Sequence, residues 1–183
     1  PGISQKAAER VWLIESDMRE FEADYGPFEL AIVPFSAFQA LCTVEDQEKT
    51  LQRIRRHLRP GGRLAIDIFD PRLEACAPGV VGRCKAWEGR HPVTDRTWKV
   101  FVDSRKNIPE EQLLHEDWRF VELGAEGEVM SQHYGSLTLR WTYRHEMQRL
   151  LERCGFAVMS LWGDYERGPF VYGKRQVWLA RKS

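Results

Sequence analysis

Four side chains that can carry a transferable proton, His133, Tyr134, His145 and Tyr165, are the chain's candidates for a general base. Asp17 is its clearest candidate for a binding carboxylate. Asp17 closes Glu15-Ser16-Asp17 behind Val11, Trp12, Leu13 and Ile14, a short β-branched and aromatic run, which predicts a strand that delivers a carboxylate to its C-terminal tip. On a solvated turn the same aspartate would bind nothing, and each of the four proton carriers has an equally plain place on a strand or helix surface. Cys42, Cys76, Cys84 and Cys154 are irregularly spaced, with no CxxC pair and no histidine at ligand spacing. This pattern predicts reduced thiols and neither a zinc site nor a disulfide framework. Cys42 and Cys154 have apolar neighbours and read as small buried hydrophobes. No metal is expected.

The elements that must hold these residues are most legible between His57 and Asp70. Pro60 forbids helix continuation, Gly61-Gly62 supplies the conformations of a sharp turn, and Leu64 to Phe69 is an apolar run broken only by Asp67. A helix end followed by a buried strand implies a parallel sheet. Upstream, Phe28 to Val33 predicts a second buried strand, left through the loop Pro34 to Gln39, with its tip beside that of the Asp17 strand. Thr43 and Asp46 predict a capped helix start. Val44, Gln47, Leu51, Ile54 and Leu58 follow at helical spacing, with Lys49, Arg53, Arg55 and Arg56 as a solvated face.

Residues 72–95 are rich in Gly, Pro and Cys and show little periodicity. Residues 96–143 carry alternating runs at Trp98 to Val102, Glu116 to Val121 and Ser136 to Trp141, the signature of antiparallel strands, with a turn at Gly124 to Gly127 and a loop at Glu110 to Leu114. Thr142 then reads as the cap of a helix bearing Met147, Leu150, Leu151 and Cys154, stopped by Gly155, with strands at Phe156 to Trp162 and Gln176 to Ala180. The expected organisation is one α/β core from 1–71 and 142–183, with an antiparallel β insertion at 72–141.

The 183 residues are 43% hydrophobic and 30% charged, enough for one domain with a real core. Basic and acidic residues number 27 each, so the chain lacks the electrostatic footprint of a nucleic-acid or membrane-surface binder and favours a small-molecule partner. No apolar run approaches the roughly 20 residues of a membrane span, and PGISQKAAER lacks a signal-peptide core, which predicts a cytoplasmic protein.

The ordered set of Asp17-Met18, Pro34 to Gln39, Leu58-Arg59-Pro60-Gly61-Gly62 into Leu64 to Asp67, a β-rich insertion, Thr142 to Met147 and Leu151 to Phe156 resembles the class I S-adenosylmethionine-dependent methyltransferases. The resemblance implies a partial Rossmann-like sheet with an inserted antiparallel sheet over the active site, and S-adenosylmethionine as cofactor. It implies that Asp17 accepts a hydrogen bond from the adenine amino group with Met18 beside the ring, and that Pro34, Phe35 and Ser36 line the sulfonium side. Relatives often carry Asn at the position of Ser36. Phe38 and Gln39 would face the methyl acceptor, unless Phe38 is simply core, and Trp141, Tyr143, Tyr165 and Arg167 would line the acceptor site. In-line methyl transfer depends chiefly on alignment, so no dedicated base is required.

The departures are equally specific. Family members begin with a strand, a Gly-rich loop and a second strand ending in an acidic residue, and no such loop occurs in this sequence. The expectation is a C-terminal portion of a longer methyltransferase acting on a small molecule. The competing expectation is a non-catalytic binding or assembly module, a possible homodimer completed through an exposed sheet edge. A nucleotide-binding oxidoreductase is disfavoured, because Gly61-Gly62 closes a helix rather than opening one.

Overall fold

The computed structural model describes residues 9–81 and 83–183; the N-terminal stretch read above as lacking a leader's apolar core falls mostly outside them. The core sheet contains β1 (Phe28–Val33), β2 (Leu58–Phe69), β9 (Arg175–Lys182) and β8 (Phe156–Trp162), in the order β1-β2-β9-β8. β1 and β2 are parallel, and β9 runs against both of its neighbours. The tips of β1, β2 and β8 and the start of β9 therefore share one end of the sheet.

Alternation in β2 turns Leu64, Ile66 and Ile68 to one face, where each is at most 1% exposed. They pack with Leu51 and Ile54 of α1 (Val44–His57) and with Met147 and Leu151 of the helix Arg144–Arg153. Each such side chain contributes roughly 1.5–3 kcal/mol relative to exposure. Thr43 caps α1 as expected, its Oγ1 accepting from the Asp46 N–H at 3.1 Å. His57 ends α1. The Leu58-to-Gly62 segment stays extended and bulges against β1, with Phe28 opposite Leu58 and Leu30 opposite Arg63. Gly61 provides the left-handed residue of that bulge at φ 73°.

The second sheet contains β3 (Gly79–Val81), β4 (Cys84–Arg90), β5 (Thr97–Ile108), β6 (Leu113–Leu123) and β7 (Val129–Arg140), all antiparallel, with β3 and β4 both paired to β5. A one-turn helix α2 (Leu73–Cys76) precedes it, and β7 returns the chain to the core through α3, the helix Arg144–Arg153. Arg140 fastens this return. It donates to Glu146 Oε1 at 2.6 Å, Gln112 Oε1 at 2.8 Å and Thr142 Oγ1 at 3.2 Å, with its own side chain 7% exposed.

Three expectations are corrected. Val11 to Ile14 is not a strand: these residues are 48–93% exposed, and β-propensity without an adjacent strand to bond yields no ladder. β1 is a strand but not a buried one, since Phe28, Leu30 and Ile32 are 40–62% exposed along an edge that, among the described residues, is paired on one side only. The cap of α3 is Tyr143 rather than Thr142, because Thr142 Oγ1 accepts from Arg140 instead.

Candidate functional site

At the shared end of the core sheet the backbone leaves β1 through Pro34 and enters two successive left-handed residues, Phe35 at φ 58° and Ser36 at φ 57°. Neither is glycine, so each conformation costs on the order of 1–3 kcal/mol and must be held from outside. Asp67 holds it. Its Oδ1 accepts the Phe35 N–H at 2.8 Å, and its Oδ2 accepts from Arg175, an ion pair in which Asp67 is 3% and Arg175 36% exposed. Arg175 also reaches the Tyr165 hydroxyl at 3.2 Å, and its guanidinium lies 5.4 Å from the centre of the Tyr165 ring.

Asp70, directly after the end of β2, organises the opposite loop. Its Oδ2 accepts the Gly173 N–H at 2.7 Å and its Oδ1 accepts from Gln176 Nε2 at 2.6 Å; Gln176 Nε2 also donates to the Thr142 carbonyl at 3.0 Å. Two buried carboxylates three residues apart at the C-terminal end of β2 thus shape the two loops that border this end of the molecule.

Asp17 lies on a turn that closes with Glu20 and Phe21 N–H groups bonding to its carbonyl. Its carboxylate receives the Arg19 Nε at 2.9 Å, the Arg19 Nη2 at 2.7 Å and the Arg19 N–H at 2.8 Å, which hold its pKa down to about 2. Met18 and Pro34 line a common apolar cleft of about 410 Å³ together with Phe21, Leu30, Val33 and Ile54. The Asp17 turn and the β1 exit loop are therefore neighbours, although not as two strand tips.

Phe35 is 88% exposed, Ser36 half-buried. Phe38 and Gln39 have no exposed surface: Phe38 belongs to the core, and Gln39 accepts the Phe69 N–H at 3.0 Å and so ties the loop to β2. Trp141 and Tyr143 meet edge to face at 5.4 Å, and burial raises the Tyr143 hydroxyl above its ordinary range. Tyr165 stands apart from them against Arg175, and Arg167 lies over Trp162 at 5.5 Å. His133 stacks on Trp98 on the second sheet, Tyr134 is 72% exposed, and exposed His145 lies 3.2 Å from the Arg144 guanidinium. None of these three lines a cleft at the strand tips.

Sequence reasoning did not single out Asp67, Asp70, Arg175 or Gln176. A carboxylate inside an apolar strand run, as in Leu64 to Asp70, was the available signal, since such a group needs a buried partner.

A parallel pair followed by one reversed strand, with an antiparallel sheet inserted after the second strand, is a fold this chain shares with solved structures of S-adenosylmethionine-dependent methyltransferases. A methyltransferase-domain family model matches residues 3–66. The chain is similar to the CcbJ methyltransferase from Streptomyces caelestis, with 17% identity, a TM-score of 0.72 and coverage of 92% of this chain and 62% of that one. It is similar to an S-adenosylmethionine-dependent methyltransferase from Clostridium acetobutylicum at 14% identity and TM-score 0.73, covering 92% and 63%. It also resembles the S-adenosylmethionine-bound amino pentose methyltransferase CalS10 from Micromonospora echinaspora, at 18% identity and TM-score 0.64, covering 92% and 63%. The chain thus spans under two thirds of the length of these structures. No curated protein sequence matches it.

Proposed function

We propose that this chain forms the acceptor side of an S-adenosylmethionine-dependent methyltransferase that acts on a small molecule. The observation that carries the reading is the paired left-handed conformation of Phe35 and Ser36, locked by Asp67 at the tip of a parallel strand, where ligands of open α/β sheets bind. When bound, S-adenosylmethionine supplies an electrophilic methyl group on a sulfonium. The residues present suit a cation there. Pro34 to Ser36 place backbone and an exposed aromatic ring at the tip, and Asp67 fixes that backbone before any ligand arrives, so that alignment costs little at the moment of reaction. Met18 lies in the adjoining cleft beside Pro34, and Asp17 is anionic at neutral pH, able to accept a further hydrogen bond beside Arg19. Amino-sugar methylation by a relative of the same fold supports a small acceptor.

Titration calorimetry with S-adenosylmethionine and S-adenosylhomocysteine tests this reading. Heat of binding with both, and none with ATP or NAD, is expected; tight binding of either nucleotide with neither sulfur compound recognised contradicts it.

A second reading, an assembly module, is favoured by β1, whose edge, unpaired among the described residues, exposes Phe28, Leu30 and Ile32. Sedimentation at a mass twice that of the 21.4 kDa chain, abolished by Ile32→Lys, supports it; a monomer at all concentrations rules it out.

A further inference from the structure

Between the strand tips of the core and the inserted sheet lies a second cleft, of about 290 Å³, bounded on the core side by Phe69 to Arg72, Gly173 and Lys174 and on the other by residues of β5, β6 and β7. Its charges are not balanced in the same way on the two sides. Asp70 is satisfied by Gly173 and Gln176, and Glu116 by Arg105 Nε at 2.6 Å and Trp118 Nε1 at 3.0 Å. Arg72 and Lys174, both exposed on the core-side rim, have no carboxylate at ion-pair distance among the described residues.

Gly173 explains why these two cations stand together. At φ 75° it adopts a backbone suited to glycine, and a Cβ there would lie 2.2 Å from Arg72 Cγ. The missing side chain lets the Arg72 stem cross the loop and bring its guanidinium to the rim that Lys174 occupies. The wall carries one further unmet group. Trp141 lines the cleft, is 5% exposed, and its indole N–H is buried without a partner. Buried donors of this kind are uncommon in folded proteins.

We propose that this cleft is the acceptor site and that the acceptor is a small organic anion, a phosphate ester or carboxylate, whose charge is held by Arg72 and Lys174 while its body packs against Trp141. The identification as acceptor rests on the methyltransferase reading above; the anion preference rests on the rim alone. A guanidinium and an ammonium without counter-charges among the described residues, at the mouth of a cleft whose internal carboxylates are already bonded, select a negative ligand and reject a positive one.

The probes are glucose 6-phosphate, glucuronate and glucose, which share a hexose body and differ in charge. The readout is the Trp141 indole N–H resonance, assigned by its loss in Trp141→Phe among the seven tryptophans. One or both anions should shift it saturably at millimolar concentration with at least about tenfold higher affinity than glucose, and Arg72→Ala/Lys174→Ala should remove that advantage. Which anion acts distinguishes phosphate from carboxylate. Equal response to glucose, no response to either anion, or an unchanged double variant overturns the proposal. Because both cations are surface residues, the double variant retains the fold, checked by its unaltered amide spectrum. S-adenosylhomocysteine in the same samples separates the two readings. Shifts at Phe35 and Ser36 with a silent Trp141 overturn this proposal alone. A responsive Trp141 with silent Phe35 and Ser36 overturns the acceptor role together with the methyltransferase reading and leaves an anion site.

Discussion

Asp67 Oδ1 lies 2.8 Å from the backbone nitrogen of Phe35, so a carboxylate buried in one strand sets the conformation of the loop leaving its neighbour. The bond is the nearest support for a backbone that its own residue types disfavour. Asp67→Ala should cost about 2–4 kcal/mol, since it removes both the acceptor for Phe35 and the partner of Arg175. Asp67→Asn keeps an acceptor oxygen and should cost less. Urea unfolding gives the energies. Hydrogen exchange at the Phe35 amide should accelerate in Asp67→Ala and be largely restored in Asp67→Asn.

Arg140 joins the inserted sheet to the core through Gln112, Thr142 and Glu146. Its replacement by Met keeps the stem and leaves those acceptors unpaired, so a loss of about 2–4 kcal/mol is expected. The urea midpoint should fall with an unchanged slope; a change below about 0.5 kcal/mol would show that the network is dispensable.

The four thiols should react in a fixed order. Cys84 is exposed, whereas burial raises the thiols of Cys42 and Cys76 and lifts that of Cys154 to about 11. Near pH 8, alkylation followed by mass spectrometry should mark Cys84 first and Cys154 last, because the thiolate is the reactive form. The linkage has a definite sign. The folded-state value of Cys154 exceeds the ordinary 9.0, so its contribution to stability is complete below that pH and is lost as pH rises through about 11.

Asp17 behaves oppositely. Arg19 depresses it from 3.8 to about 2, so its contribution is present above 3.8 and fades as pH falls through about 2. The pair is solvated, and the effect on stability is small. Carboxyl carbon resonances should titrate near 2 in the native chain and return toward the ordinary value in Arg19→Ala.

Much of this architecture is local and was legible as such. The Thr43 cap, the apolar face of α1, the run through β2, the stop at Gly155 and the two final strands all follow from neighbours within a few residues. What escaped depends on partners far along the chain. Asp67 is visible in the sequence as a lone carboxylate in an apolar run, yet Arg175 is 108 positions away and nothing local marks it. β3 and β4 fall in a stretch without alternation; the described side chains of β4 are mostly exposed, and its extended form depends on pairing with β5. Val11 to Ile14 shows the converse, local preference for a strand with no ladder to join.

The loop at Phe35 and Ser36 is the proposed meeting place for the sulfur end of the cofactor. Amide chemical-shift mapping with S-adenosylhomocysteine tests this most directly, because it detects even millimolar binding residue by residue. The largest saturable shifts should fall at Met18, Phe35 and Ser36, and adenosine alone should move Met18 but leave Phe35 and Ser36 nearly still. Shifts scattered over the inserted sheet, or none at the Phe35 and Ser36 amides at saturating ligand, would contradict the account.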